Sequence, residues 1–327
     1  MILITGAAGF IGSAVACRLN RLKRLDLILS DAFGYKEKWK NIPGLFFDAF
    51  LDRSKLFEFL KENPLAKEID CIIHLGACAD TTERNVDFLM DNNVRYSIEL
   101  CEWAIEHDAD FIYASSGAVY GDGSLGFSDT NVLTPKLRPL NAYGFSKWMF
   151  DMWVLENGLD NRVTGLRFFN VFGPNEYHKG TMASVVFRYL PDIINTGKIK
   201  LFESHRPDYS HGEQARDFIY IDELLDVIEY LIDNPNVKGI FNVGTGKPHT
   251  FNQLAESMFK ALGKNVNIEY FPMPEELRNK YQYLTQADMS KLIKTGYNIG
   301  ADRFSEYVQK YVTDYLNFPT PKHYSEV

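Results

Sequence analysis

The sequence predicts an α/β fold, a doubly wound parallel sheet joined to a second, smaller mixed α/β lobe that holds the substrate. Two observations carry that expectation. Through the first half, short runs rich in Ile, Leu and Val alternate with amphipathic stretches of helical period, the rhythm of right-handed strand–helix–strand crossovers. After Asn170 that rhythm breaks into loops, polar stretches and shorter elements. At 327 residues the chain has room for one large α/β unit or for two lobes.

Residues 2–5, 26–30, 45–47, 71–75 and 111–114 are largely apolar without alternation, as strands covered on both faces are. Between them, apolar positions three and four apart predict helices over 11–22, 54–62 and 86–106. A helix opening near Asn141 leads to a strand over 163–169. Beyond it, a loop over 173–180 precedes a helix over 182–195 and a polar stretch over 204–214. Strands at 217–221 and 240–243 enclose a helix at 223–232, and the remainder, 251–263 and 268–327, mixes helices and short strands around Pro272 and Pro274. Residues 1–170 with 217–247 are expected to bind a dinucleotide, and 171–216 with 248–327 to form the substrate lobe. No internal repeat or low-complexity segment interrupts either.

Composition narrows the function. A formal charge of −8 disfavours nucleic acid or an anionic membrane as partner, because both require a basic face. Small anionic ligands need only a local basic pocket. Cys17, Cys71, Cys78 and Cys101 stand singly with no CxxC pair, so reduced core thiols are expected and no metal site. The opening residues lack a signal-peptide pattern, and no apolar run approaches the roughly 18 residues of a membrane helix. A cytoplasmic protein is expected.

Ile2-Leu3-Ile4-Thr5 runs into Gly6-Ala7-Ala8-Gly9-Phe10-Ile11-Gly12, and a helix follows. Gly6 permits a tight turn, Gly9 lets the backbone approach a pyrophosphate seated on the helix N-terminus, and Gly12 lets helix and strand pack closely. Three glycines alone are a weak signal. A strand before and a helix after supply the context that a dinucleotide site requires, so the sheet is expected to be of Rossmann type. Asp31 ends the second strand near the spacing, about 20 residues on, at which an acid binds the adenosine ribose; a simple turn former would also fit there. Its carboxylate favours NAD over a 2′-phosphate, yet Lys36, Lys38, Lys40 and Arg53 lie close enough in sequence to neutralise that phosphate. On charge alone both NAD and NADP stay open.

The strand over 111–114 ends in Ser115-Ser116, and Asn141-Ala142-Tyr143-Gly144-Phe145-Ser146-Lys147 opens a helix. Tyr143 and Lys147, four apart, project from one helix face. A phenol of pKa about 10 is a poor base at neutral pH, and an adjacent ammonium stabilises its phenolate. The Ser116 hydroxyl is suited to hold the reacting oxygen. A Tyr–Lys pair is common by chance; glycine turn, strand-end serine and Tyr–Lys helix in this order are specific. Other polar and aromatic residues have structural explanations. His74 is expected to be a satisfied core histidine, and Trp148, Phe150 and Trp153 to be packing residues.

Together these residues resemble the extended short-chain dehydrogenase/reductase family of sugar-nucleotide enzymes, over nearly the whole chain. Within it, Gly76-Ala77-Cys78, Thr81-Thr82-Glu83, Met90-Asp91-Asn92-Asn93 and the run from Arg167 to Pro174 look like the ADP-heptose 6-epimerase subgroup. His178-Lys179-Gly180-Thr181-Met182-Ala183-Ser184 and Tyr281-Gln282-Tyr283-Leu284-Thr285-Gln286-Ala287-Asp288 are specific to it. The resemblance implies an isomerase that inverts C6″ of an ADP-heptose for lipopolysaccharide inner-core synthesis. Tyr143 would take the hydroxyl proton as hydride leaves, the transient aldehyde would rotate, and hydride would return to its opposite face. Lys179 would be the second acid/base, with a diphosphate contact as its alternative role.

The same resemblance places Phe10, Ile11, Asp31, Ala32, Lys38, Arg53, Leu75, Gly76, Ala77, Cys78, Ala79, Asn92, Lys147 and Val171 at the cofactor. It places Ser116, Asn170, Thr181, Arg188, Phe202, Glu203, Ser204, His205, Arg216 and Tyr281 at a nucleotide-sugar substrate. Arg216 is a plausible diphosphate clamp, because a guanidinium reads phosphate oxygens bidentately; its bland alternative is an ion pair with Asp217 or Glu213. The stretch Lys38-Trp39-Lys40-Asn41-Ile42 is similar to the subgroup's, which implies NADP with NAD as the alternative, and the subgroup implies a homo-oligomer, pentameric in familiar cases. Ala32, Leu75 and Arg188 depart from the subgroup's usual Asn, Glu and His, and 204–214 carries extra residues. Those departures bear on cofactor choice and on the sugar and nucleotide taken. A UDP-hexose 4-epimerase shares the Tyr–Lys chemistry and is the nearest alternative. A 4,6-dehydratase would need an acid/base pair where Gly117-Ala118 stand, and a non-catalytic NADP(H) sensor would need no phenolate.

Overall fold

The computed structural model describes residues 1–278 and 281–327. In chain order its strands are β1 (Ile2–Thr5), β2 (Leu27–Asp31), β3 (Ala49–Asp52), β4 (Cys71–His74), β5 (Asp110–Ser116), β6 (Thr164–Phe168) and β7 (Asn170–Phe172). There follow β8 (Ile199–Phe202), β9 (Ala215–Arg216), β10 (Phe218–Tyr220), β11 (Gly239–Val243), β12 (His249–Thr250) and β13 (Ile268–Phe271). Seven of them build one parallel sheet in the order β11-β6-β5-β4-β1-β2-β3. The unbroken apolar runs are strands buried on both faces: Ile2 and Ile4 enter one core, and Leu3 between them enters the other.

Helices cover both faces. α1 (Phe10–Arg21) contributes Ala14, Val15 and Leu19 to the first core. The second core is closed by α2 (Leu56–Glu62), by a helical run of α3 (Val86–Leu89), a π-helical turn over Met90–Arg95 and α4 (Tyr96–Glu106), and by α5 (Ala142–Glu156). α6 (Val185–Thr196), α7 (Ile221–Asp233) and α8 (Phe251–Ala261) pack on the first face. The short pairs β7–β10, β8–β13 and β9–β12 extend the fold beyond the main sheet.

Three expectations shift. The third strand lies at Ala49–Asp52, not at 45–47: Leu45 and Phe47 pack on the core as an approach segment, and pairing begins where the Asp48 amide meets the Leu27 carbonyl at 2.9 Å. Apolar content there marked burial of a loop. The helix foreseen from 182 begins at Val185, capped by the Ser184 hydroxyl, because Tyr177–Met182 forms a tighter 3₁₀ turn. The strand foreseen over 217–221 shortens to β10, with Asp217 separating it from β9, and Ile221 already starts α7. Among the described residues no helix is long and apolar enough to cross a membrane, and no His, Cys, Asp and Glu group is arranged to hold a metal.

Candidate active site

The chain leaves β1 toward β2 and β3 on one side and resumes as β4 on the other, which makes β1/β4 the topological switch point. A cavity of about 210 Å³ opens there. Gly6 turns with φ +67°, and a Cβ on it would stand 2.7 Å from the Gly76 amide. A Cβ on Gly12 would strike the Gly6 carbonyl. The two glycine-bearing turns therefore touch, and the Thr5 hydroxyl accepts the Gly76 amide at 3.1 Å to join them.

Asp31, Ala32, Lys38, Arg53, Gly76, Ala77, Cys78 and Asn92 line this cavity together with Gly6. The Asp31 carboxylate accepts the Ala8 amide at 2.8 Å, the Ala32 amide at 2.7 Å and the Lys38 ammonium at 2.5 Å. The Arg53 guanidinium donates to Asn92 Oδ1 and lies 4.9 Å from the centre of the Tyr96 ring. The buried Ser30 hydroxyl also lines the cavity and has no hydrogen-bond partner among the described residues, so the site offers an unfilled polar contact beside an acid, a cation and two close-packed turns. That donor set fits the adenosine half of a dinucleotide. Gly9, Phe10, Ile11, Gly12, Leu75, Ala79 and Val171 stand outside the lining, with Phe10 opening α1 and Val171 in β7.

Sequence reasoning missed Ser30, Phe88 and Tyr96, which also line the cavity. For Tyr96 a signal existed, since it follows Asn92 by four residues on a helical stretch.

β5 ends at Ser116, whose hydroxyl accepts the Ala118 amide at 3.1 Å. Asn141 caps α5 by accepting the Gly144 amide at 2.7 Å, which sets the rotation of the helix. On its inward face Lys147 is 5 % exposed and donates to the Ala114 carbonyl at 2.8 Å. Burial lowers its pKa to about 8, with Asp151 and Cys78 opposing. Burial likewise raises the Tyr143 phenol, and Ser116 beside it pulls the other way. The ammonium donates to the Ala114 carbonyl, and for the phenol burial is the largest influence, opposing its ionisation.

Asn93, which sequence reasoning did not single out, joins the two regions. Its amide group donates to the Cys78 carbonyl and to the Ser146 hydroxyl, both at 3.0 Å, and its carbonyl accepts the Cys78 amide at 2.8 Å. His74 is a core residue, bonded to Thr5 at 2.6 Å and to Ser97 at 2.8 Å. Trp148 donates to the Thr134 carbonyl, and Phe150 stacks on Trp153, as packing residues do.

The half-buried Lys179 ammonium lies 5.4 Å from the centre of the Phe10 ring, at the start of α1. Burial pulls its pKa down, with Glu176 opposing and Lys36 adding to the fall. Glu176 is itself fully buried and anchors the segment through the Ser184 amide at 2.5 Å and the Tyr311 hydroxyl at 3.0 Å.

Arg216 in β9 lies between aromatic rings, 5.0 Å from Tyr281 and 5.8 Å from Phe251. The surface ion pair considered for it does not form. Asp217 instead accepts the amides of Thr245, Gly246 and Ala287, and Glu213 takes the Asn252 side chain. Phe202 meets Tyr281 edge to face at 6.1 Å. The Glu203 amide bonds to Phe271 at 2.8 Å, and the Ser204 and His205 turn is held by the Tyr283 hydroxyl, 2.9 Å from the His205 amide. Tyr283 was not foreseen. Asn170 is exposed and accepts Thr285 at 3.3 Å. Thr181 and Arg188 are exposed as well, with the Arg188 guanidinium over its neighbour Tyr189.

A parallel sheet with a close-packed glycine turn at its switch point, followed by a strand-end serine and a Tyr–Lys helix, is the architecture of an enzyme that uses a nicotinamide dinucleotide. The chain belongs to the NAD-dependent epimerase/dehydratase family, whose sequence pattern matches residues 2–244. It is similar over its length to the ADP-L-glycero-D-manno-heptose-6-epimerase of Nitratidesulfovibrio vulgaris, 45% identical over 321 residues that cover 98% of this chain and 99% of the relative. The enzyme of that name from Fusobacterium nucleatum is 41% identical, covering 97% and 98%. The crystal structure of the Helicobacter pylori ADP-L-glycero-D-manno-heptose-6-epimerase superposes with a TM-score of 0.75 at 28% identity, covering 96% of this chain and 95% of that one. The expected fold and the expected enzyme class, an isomerase of the epimerase kind, both hold.

Proposed function

We propose that this chain inverts C6″ of ADP-D-glycero-D-manno-heptose to give the L-glycero-D-manno epimer. The observation that carries the reading is full-length likeness to heptose epimerases, supported by a cavity at the switch point that suits the adenosine half of a dinucleotide and by Cys78 of its wall influencing both Tyr143 and Lys147. When bound, the dinucleotide supplies the hydride acceptor and donor and, in its oxidised form, a positive charge. Tyr143 takes the C6″ hydroxyl proton while Ser116 holds that oxygen. Lys147, buried and anchored on Ala114, supplies a cation one helical turn along α5 from the phenol. Rotation of the transient aldehyde carries its oxygen away from Tyr143, so the other epimer needs a second proton carrier within hydrogen-bond reach. The depressed pKa of Lys179 suits it to that task. Arg216, held between rings, is positioned to read the diphosphate, within a substrate lobe of residues 171–216 and 248–327.

NADP is the cofactor we favour over NAD. Lys38 already neutralises Asp31, the carboxylate that would repel a 2′-phosphate, and Arg53 stands on the same cavity wall. Purified protein incubated with each sugar nucleotide and followed by proton NMR tests the whole reading. Interconversion of the two ADP-heptose epimers without added reductant is expected. Turnover of UDP-glucose with none of ADP-heptose would instead make the chain a UDP-hexose 4-epimerase.

A further inference from the structure

We propose that Asp151 is a positioning residue for the reaction, fixing the distance between Ser116 and Lys147 and supplying the counter-charge that keeps Lys147 an ammonium. The proposal rests on the reading of Tyr143 and Lys147 given above. Asp151 and Arg167 are both completely buried and pair at 2.9 Å. A buried ion pair is weak evidence for stability, since desolvation of both charges offsets their attraction. What distinguishes this one is where its remaining bonds go.

Asp151 accepts the Tyr113 hydroxyl at 3.1 Å and the Ser115 hydroxyl at 2.9 Å. Between those two residues, the Ala114 carbonyl accepts the Lys147 ammonium at 2.8 Å. Three consecutive residues of β5, the last adjoining Ser116, are thus bonded to α5 through two side chains one helical turn apart. Arg167 closes the far side by donating to Tyr120 at 3.0 Å and to Thr134 at 2.9 Å. Strand end and helix cannot slide against each other without breaking this set.

The charge matters as much as the tie. Around Lys147 stand Asp151, four residues on in its own helix with Tyr143 four residues back, His74 and Cys78 from β4 and the loop after it, and β5, with Arg167 of β6 behind Asp151. His74 is kept neutral, its pKa lowered to about 3 by burial. Asp151 is the largest influence opposing the loss of the Lys147 proton.

The test measures kcat and KM for epimerisation across pH in Asp151→Asn, Asp151→Glu and the double variant Tyr113→Phe/Ser115→Ala, with Tyr143→Phe as control and thermal melts throughout. Asp151→Asn should move the alkaline limb of the kcat profile down by about one pH unit, with KM changed less than about twofold. Asp151→Glu should restore the limb. The double variant should lower kcat about tenfold with KM and the limb unmoved. A folded Asp151→Asn enzyme with the parent pH profile overturns the charge role. Should that variant not fold, the double variant decides, and an unchanged kcat in it overturns the proposal. Full activity in Tyr143→Phe would bring down the reading of the site itself, a different outcome from either.

Discussion

The Lys147 ammonium reaches across from α5 to the Ala114 carbonyl at 2.8 Å, two residues before Ser116 on β5. The amine is therefore fixed to the strand that carries the serine, and the phenol one turn earlier inherits its placement from that bond.

Tyr143→Phe should fold and bind dinucleotide as the parent does, because the phenol meets only the Ser116 hydroxyl, which keeps its own bond to the Ala118 amide. Turnover should fall by about 10³-fold or more, the usual weight of a positioned proton carrier. Parallel titration of cofactor binding and NMR epimerisation checks both halves, and near-parent turnover would remove the mechanism.

Lys147→Met should abolish turnover without lowering stability at neutral pH. Burial holds the Lys147 pKa near 8, below its value of 10.5 in an unfolded chain. Between those values the unfolded state binds more protons, so stability rises with pH across that window. Below it the buried charge costs folding free energy on the order of 3 kcal/mol, which Met does not incur. The melting-temperature advantage of the Met variant should narrow as pH climbs from about 8 toward 10.5. A constant difference across that range would contradict it.

Arg216→Lys should raise KM for the nucleotide sugar by about 10- to 100-fold, the worth of one or two charge-assisted bonds of roughly 1.5–3 kcal/mol. A lysine keeps the charge but loses the flat fork that fits between Tyr281 and Phe251. Since this contact lies away from the reacting carbon, kcat should hardly change. Steady-state kinetics decides, and an unaltered KM would take Arg216 out of substrate binding.

Lys179→Ala separates two roles. A proton carrier gives a fall in kcat of about 100-fold or more with KM little changed. A diphosphate contact gives the reverse. The kcat loss is the expected outcome, with an unchanged melting temperature because Lys179 is only half-buried.

Much of the fold was legible because buried parallel strands announce themselves. Ile2–Thr5 is unbroken apolar sequence running into glycines, and its packing leaves no other reading. Residues 45–47 misled for the same reason, since an apolar loop pressed on the core reads like a strand. At the site, residue types with chemistry of their own were found: Tyr143, Lys147, Ser116, Asp31, Lys38. What stayed hidden were residues whose importance is purely relational. Asn93 matters because it meets Cys78 and Ser146, Tyr283 because it holds His205, and Asp151 because three distant side chains converge on it. No periodicity reports such meetings. For Tyr143, spacing shows that a lysine is near, and does not show that this lysine also bonds the Ala114 carbonyl.

The π-helical turn at Met90–Arg95 has a consequence for how this chain tolerates change in length. Neighbours on a regular helix point about 100° apart, yet Asn92 and Asn93, adjacent there, serve Arg53 on one hand and the Cys78 loop on the other. Removing a single residue from that widened coil would let it relax into ordinary winding and rotate everything upstream relative to α4. Point replacements at exposed Asp91 would be absorbed, whereas a one-codon excision would unseat both asparagines together.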